Sequence, residues 1–188
     1  THAQRWFLVR EPDFGVAFLN TSTHGFDVTR VPTESGIGQQ ARFSLLRAPK
    51  FPDPRSDLGR HRIRLGVLVG ADVGEATRAA SNLNAPPRLA RGAEVEPLVA
   101  SSNPNVVVSA IKLADDRSGD MIVRIYEALG ARSRSEIGLN TNGPGKVFQT
   151  DLIERILDEL PVSRSGNGRP AVDVELRPFE IRTLRIRA

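Results

Sequence analysis

From Val172 to Arg187 the chain reads VDVELRPFEIRTLRIR. Apolar side chains recur at Val172, Val174 and Leu176, then at Ile181, Leu184 and Ile186, with Arg182, Arg185 and Arg187 between and after them. A period near two places successive side chains on opposite faces of a pleated strand, a pattern that a helix of period 3.6 does not match. The tail therefore predicts a closing strand with an apolar face and a wet face carrying the three arginines.

The same pattern recurs in short runs bounded by turn residues. Arg5–Val9 and Gly15–Leu19 are apolar segments separated by Glu11-Pro12-Asp13, with Asn20-Thr21-Ser22 closing the second. Gln40–Arg47, Arg62–Val69, Asn105–Lys112 and Asp120–Leu129 also read as strands, and Asp115-Asp116 with Arg117-Ser118-Gly119 reads as a hairpin turn. One helix is expected from an Asp72 cap with Glu75 three residues on and Val73, Ala76, Ala80 and Leu83 at helical spacing. A second short helix is expected from Thr150 to Leu160, or else an exposed connector ended by Pro161. Ser163–Ala171 is a loop by composition. Many short strands with little helix predict an all-β fold, a β-sandwich with one or two short helices.

The 188 residues are 39% hydrophobic and 26% charged, a globular composition with room for one sizeable core. No window approaches the roughly 20 apolar residues of a membrane helix, so no membrane partner is expected. THAQRWFLV starts as if already inside a strand, so the chain reads as a piece of a longer polypeptide. The net charge of +4 is carried almost wholly by arginine, dispersed among Asp and Glu with no long basic run, and aromatics are 5%. Dispersed charge reads as solvated surface, and no nucleic-acid partner is expected.

Catalytic motifs are absent. Cysteine is missing, and His2, His24 and His61 share no ligand spacing, so no metal site is expected in this segment. Ser35-Gly36-Ile37-Gly38 and Asn142-Gly143-Pro144-Gly145 are glycine turns, not phosphate cradles between strand and helix. The proline-rich, basic stretch Leu45–Arg64 (LLRAPKFPDPRSDLGRHRIR) admits a nucleic-acid patch, a catalytic loop or a rigid connection between strands. Asp53, Asp57, Arg60 and Arg62 are candidates to tie such a connection down by ion pairs.

Four segments in order carry a more specific signal: EPDFGVAFLNTSTHGFDV, LLRAPKFPDPRSDLGRHRIR, VVVSAIKLADDRSGDMIVRIYEALG and FEIRTLRI. Together they resemble the C-terminal β-domains of the family 38 glycoside hydrolases, the α-mannosidases. The sequence departs from the family pattern at Leu19-Asn20-Thr21, where Leu-Asn-Asp is typical, and at His24-Gly25, where Tyr-Gly is typical. It also departs at Val69-Gly70, where Pro-His often follows the Gly-Arg-His strand. The resemblance implies a mannosidase C-terminal-like, galactose mutarotase-like sandwich over residues 1–188, with a small sub-domain from about residue 105 onward. It implies a parent enzyme that hydrolyses terminal α-mannosyl residues with retention, by one carboxylate nucleophile and one carboxylic acid, with zinc binding sugar hydroxyls. The resemblance places those groups in an N-terminal catalytic barrel outside these residues, so no catalytic residue and no cofactor are assigned here. Implied partners are that barrel in cis and a mannose-containing glycan. The turn from Asn20 to Asp27 is then the candidate projection toward the active-site mouth, with Asn20, His24 and Asp27 as substrate-proximal residues. The plainer alternative is that Asn20 and Gly25 make the turn and Asp27 caps it. A free-standing carbohydrate-binding module and a basic nucleic-acid binder are alternative readings of the whole chain.

Overall fold

Turn residues end the alternating runs, and the resulting strands fall into two units, Thr1–Ala90 and Arg91–Ala188, in a computed structural model of the chain. The structure describes every residue except 86, 88–90, 93, 94, 142, 144, 167 and 188. The expected turn at 142–145 and loop at 163–171 therefore lie partly outside the described residues.

In the first unit the strands are β1 (Trp6–Arg10), β2 (Gly15–Asn20), β3 (Gly25–Thr33), β4 (Gly36–Ser44) and β5 (Leu65–Val69), followed by helix α1 (Val73–Asn84). Strands β1, β2 and β5 form an antiparallel sheet in that order, and β3 and β4 form a separate two-stranded ribbon. Helix α1 starts where expected. Asp72 Oδ1 accepts from the Glu75 amide at 2.7 Å, and Glu75 Oε2 accepts from the Asp72 amide at 2.9 Å, a complete capping box. Its Ala76 and Ala80 are buried with Ala17 and Leu19 of β2. Gly15 is required by the close approach of the chain before α1, because a Cβ there would collide with the carbonyl oxygen of Ala71. On the opposite face of the sheet, Phe7 stacks on Phe26 of the ribbon at 3.8 Å between ring centroids, and on Phe18 at 4.9 Å.

The stretch 45–64 joins β4 to β5, as a connection should. Among the described residues no ion pair ties it. Asp53 Oδ1 accepts from the Arg55 amide at 2.8 Å and Asp57 Oδ2 from the Ala48 amide at 3.0 Å. An aspartate in a tight turn finds nearby backbone N–H groups without having to immobilise a long guanidinium side chain.

The second unit contains β6 (Val99–Ser101), β7 (Val106–Leu113), β8 (Met121–Glu127), β9 (Ser133–Leu139) and β10 (Lys146–Thr150). They are followed by β11 (Ile156–Leu160), β12 (Ser163–Arg164), β13 (Pro170–Leu176) and β14 (Ile181–Arg187). A five-stranded sheet, β11-β10-β14-β8-β7, and a four-stranded one, β12-β13-β9-β6, enclose one apolar core. Val123, Ile125, Val147 and Leu184 from the first sheet meet Ile137, Leu139 and Val172 from the second, all with no exposed surface. This is the all-β sandwich that the alternation predicts, accompanied by one helix among the described residues.

Two further expectations are corrected. Thr150–Leu160 is not a helix: Ile156–Leu160 is a strand paired with β10, and residues 151–155 make its turn. Asp151 Oδ1 accepts from the amides of Ile153 and Arg155, and Glu154 adopts φ 70°, which a helix cannot contain. Leu152, Ile153, Ile156 and Leu157 are exposed, so their helical spacing had no core to face. The closing strand also does not carry its arginines on one wet face. Strict alternation puts Arg182 on the side of Leu184 and Ile186, and Ile181 with Thr183, Arg185 and Arg187 on the other. That second face is covered at Arg185, which is 7% exposed, by the β7–β8 turn carrying Asp116, Ser118 and Asp120.

At the end of β8, on the core-facing side, Glu127 has no exposed surface. Its carboxylate accepts from the amides of Leu129 (3.0 Å), Gly130 (2.7 Å), Ala131 (3.2 Å) and Phe179 (3.1 Å), and from Ser133 Oγ (3.4 Å). It thereby joins the β8–β9 turn to the β13–β14 turn. Burial pushes this carboxyl up, and the amides of Phe179, Leu129, Gly130 and Ala131 outweigh it, leaving it below its ordinary 4.5.

The single tyrosine, Tyr126, lies in β8 and reports on this unit. Glu127→Gln supplies an NH2 group to a site built of donors and is expected to destabilise the second unit by about 2–4 kcal/mol in urea denaturation read by Tyr126 fluorescence. The folded carboxyl lies below its ordinary value, so the cage contributes fully above about pH 4.5 and its contribution is lost as pH falls from there through the folded value. Stability measured from pH 7 downward is expected to fall less steeply below 4.5 in E127Q than in the unsubstituted chain.

Candidate functional site

The candidate turn of the first unit is short: β2 ends at Asn20 and β3 begins at Gly25. Asn20 belongs to the interior, with 2% exposure. Its amide donates to the Arg5 carbonyl at 2.8 Å, and its own carbonyl accepts from Asn84 Nδ2 at 3.0 Å. Asn84 Nδ2 also donates to the Ala80 carbonyl, so one side chain ties the end of α1 to the end of β2. The Asn20 Oδ1 and Thr23 Oγ1 atoms are buried without a hydrogen-bond partner among the described residues. His24 is exposed, and its carbonyl accepts from the Ala3 amide at 2.8 Å. Asp27 lies inside β3 and pairs across the ribbon with Arg42, Nε to Oδ1 at 2.9 Å. The three residues thus occupy a strand end, a turn and a strand interior, and no hydrogen bond or ion pair joins them among the described residues. Asp27 is a cross-strand partner and does not cap the turn.

The densest polar cluster is in the second unit. Arg185 donates from Nε to Asp120 Oδ2 at 2.6 Å and from an Nη to Asp116 Oδ2 at 2.7 Å and Ser118 Oγ at 2.9 Å. Arg187 reaches Asp120 Oδ2 at 3.4 Å and lies 5.0 Å above the Phe148 ring. Beside them Lys112 pairs with Glu154 and, at 2.5 Å, with Asp115, while Glu154 Oε2 accepts from the Asp115 amide at 2.8 Å. Of these groups Asp115, Asp116, Glu154, Arg185 and Arg187 line an open cleft of about 730 Å³ with Ile153, Arg155 and Ile156.

Electrostatics define what this cleft can do. Arg185 and Ser118 hold the Asp116 carboxyl at about 2, against an ordinary 3.8. Lys112 and the Asp115 amide hold Glu154 below its ordinary value, and Asp115 and Glu154 in turn raise Lys112. A glycosidase acid must remain protonated near neutral pH, which takes a carboxyl raised by burial or by a like charge. The carboxyls displaced here move the other way, so the cluster serves as a clamp on the turns around β7, β8 and β10.

Sequence reasoning missed Glu127, Asp120, Arg185 and Glu154 as organising residues. The signal was present for one pair: an arginine inside an apolar strand beside a turn with aspartates at 116 and 120 is a paired-charge pattern. Nothing local marks Glu127 as the link between two turns, because the donor from the second turn, the Phe179 amide, lies 52 residues away.

Comparison with known proteins adds the family. Residues 105–184 match the family model described as Glycosyl hydrolases family 38 C-terminal beta sandwich domain. A protein named "Alpha-mannosidase" from Saccharomyces cerevisiae is 28% identical over 197 aligned residues that cover 92% of this chain and 17% of that protein. "Alpha-mannosidase 2C1" from Mus musculus is 29% identical over 97% of this chain and 17% of its own length. The chain therefore spans about a sixth of the curated relatives it matches. A solved structure titled "The crystal structure of an alpha-mannosidase from Enterococcus faecalis V583" superposes with a TM-score of 0.65 over 98% of this chain and 21% of that one, at 18% identity, and shows the same fold. The resemblance carried by the four sequence segments is upheld by these matches.

Trp6, the single tryptophan, reports on the first unit. Asn84→Ala removes the bond from α1 to the Asn20 carbonyl and the bond to Ala80 within the helix, and is expected to destabilise that unit by about 1–2 kcal/mol in urea denaturation followed by Trp6 fluorescence. Asp27→Asn, which breaks a pair about half exposed on each side, is expected to change stability by less than about 0.5 kcal/mol.

Proposed function

We propose that the chain, of which residues 105–184 match the family 38 C-terminal β-sandwich model, is the non-catalytic C-terminal part of a retaining, zinc-dependent α-mannosidase. The longer protein hydrolyses terminal α-mannosyl residues, and this part supports its catalytic domain. The observation that carries the reading is the match to proteins named as α-mannosidases along 92% and 97% of the chain, at a sixth of their length.

The described residues do not fit zinc. Among them no group of three His, Cys, Asp or Glu side chains is placed to hold a metal ion. No chemical step is routed through these residues, and the attacking carboxylate and the acid belong to the catalytic domain. The contribution of this chain is positional, because loops carried on a rigid sandwich hold fixed places at the rim of a neighbouring site. In the first unit the turn at 21–24 carries His24 outward for such a role. Asn20 acts behind it, by fixing the end of β2 against α1, and Asp27 by fixing the ribbon.

The 188-residue chain is expected to release no mannose from an aryl α-mannoside, with or without added zinc, while the full-length polypeptide turns the same substrate over. Zinc-dependent turnover by the 188-residue chain alone contradicts the reading. His24→Ala in the full-length polypeptide is expected to raise KM by a few-fold and leave kcat within about twofold, the behaviour of a rim contact made equally in ground and transition states.

A further inference from the structure

Strand β5 carries an unusual alternation. Leu65, Val67 and Val69 are 42%, 62% and 67% exposed, while Leu68 between them packs on the α1 side of the sheet. Apolar residues in alternation are the signature of a strand face that is covered. Register places these residues in rows across the sheet: Phe7, Phe18 and Val67 in one, and Val9, Val16 and Val69 in the next. The ribbon covers the first row at its aromatic end, where Phe26 and Phe43 pack on Phe7. It leaves Val67 and Val69 exposed, with Val9 and Val16 partly buried beside them. Strand β5 is also the edge of the sheet, so its outward amides and carbonyls are unpaired by any strand of the described residues. Exposed Leu65, Val67 and Val69 on an open edge strand make a pairing template that folded proteins normally cover or blunt with charge.

We propose that this surface, the β5 edge with Val9, Val16, Val67 and Val69, is the docking surface for the polypeptide that precedes Thr1 in the longer protein. The inference rests on the reading of this chain as part of a longer α-mannosidase and adds which surface of it receives the remainder. Two observations select that occupant over a second copy of the chain. The curated relatives are about six times as long as this chain, so polypeptide is available to cover the face. His2 bridges to Gly25 and the Ala3 amide donates to the His24 carbonyl at 2.8 Å, so a chain leading into Thr1 enters on this same unit, beside the ribbon that covers the rest of the face. A tethered neighbour meets an open edge at high effective concentration, which a free second copy does not.

Hydrogen exchange tests the proposal in the full-length polypeptide and in the 188-residue chain. The outward-pointing amides of Leu65–Val69 are expected to exchange roughly tenfold or more slowly in the full-length polypeptide than in the 188-residue chain. Val67→Arg is expected to leave the Trp6 unfolding midpoint of the 188-residue chain unchanged, because the site is open there, and to remove the extra protection in the full-length polypeptide. Equal exchange in both overturns the proposal. So does a concentration-dependent dimer of the 188-residue chain, seen by sedimentation velocity, whose β5 amides are equally protected and which Val67→Arg dissolves. Slow β5 exchange in a full-length polypeptide that does not hydrolyse an aryl α-mannoside would instead refute the functional reading and leave the docking surface standing.

Discussion

A buried carboxylate holds the second unit in register. Glu127 sits on the core-facing side of β8, where an ionised group is costly unless its lone pairs are filled. Four backbone amides and a serine hydroxyl fill them. Those amides belong to two turns far apart in sequence, so the anion fixes where β9 departs from β8 and where β14 begins after β13. Gly130 and Phe179 both adopt left-handed backbone, with φ of 75° and 57°, and the Phe179 ring lies where a Gly130 Cβ would fall. For a phenylalanine such a backbone is strained, and the bond from its amide to Glu127 holds it there. The segments IYEALG and FEI, separate pieces of the family pattern, thus meet in one site.

The same economy runs through the other charged groups. Arg185 is spent on the β7–β8 turn, Lys112 and Glu154 on the approach of the β10–β11 turn to it, and Asp151 on its own hairpin. Each displaced carboxyl has a structural partner that accounts for its direction. A domain whose ionisable groups clamp turns presents rigid loops and sheet edges to its surroundings, which is what the positional role proposed for it requires.

Alternation made the sandwich legible in the sequence, because period-two runs such as Val172–Leu176 have one outcome when a core is available. The capping box at Asp72 and Glu75 and the Asp115–Gly119 hairpin turn were legible for the same reason: both are local chemistry acting over three or four residues. Strand β9 was missed because Ser133–Leu139 places serines at 133 and 135 on its inward side, where they bond to Glu127 and Ser101. Residues 152–157 deceived because helical spacing of exposed residues carries no information about a core. The closing strand was assigned faces by residue type when parity decides them. Of the candidate rim residues, His24 was placed by its turn, whereas the burial of Asn20 depends on Asn84, 64 residues away, which no local pattern reveals.

Whether one anion ties both turns is open to direct measurement by amide hydrogen exchange resolved to single residues by NMR. With Glu127 in place, the amides of Leu129, Gly130, Ala131 and Phe179 are expected to be protected together although they lie in turns, and in E127Q to lose protection together while Leu184 in the core strand keeps its own. Exchange of those four amides at open-turn rates with Glu127 in place, or loss in the first turn without loss at Phe179, would contradict the account.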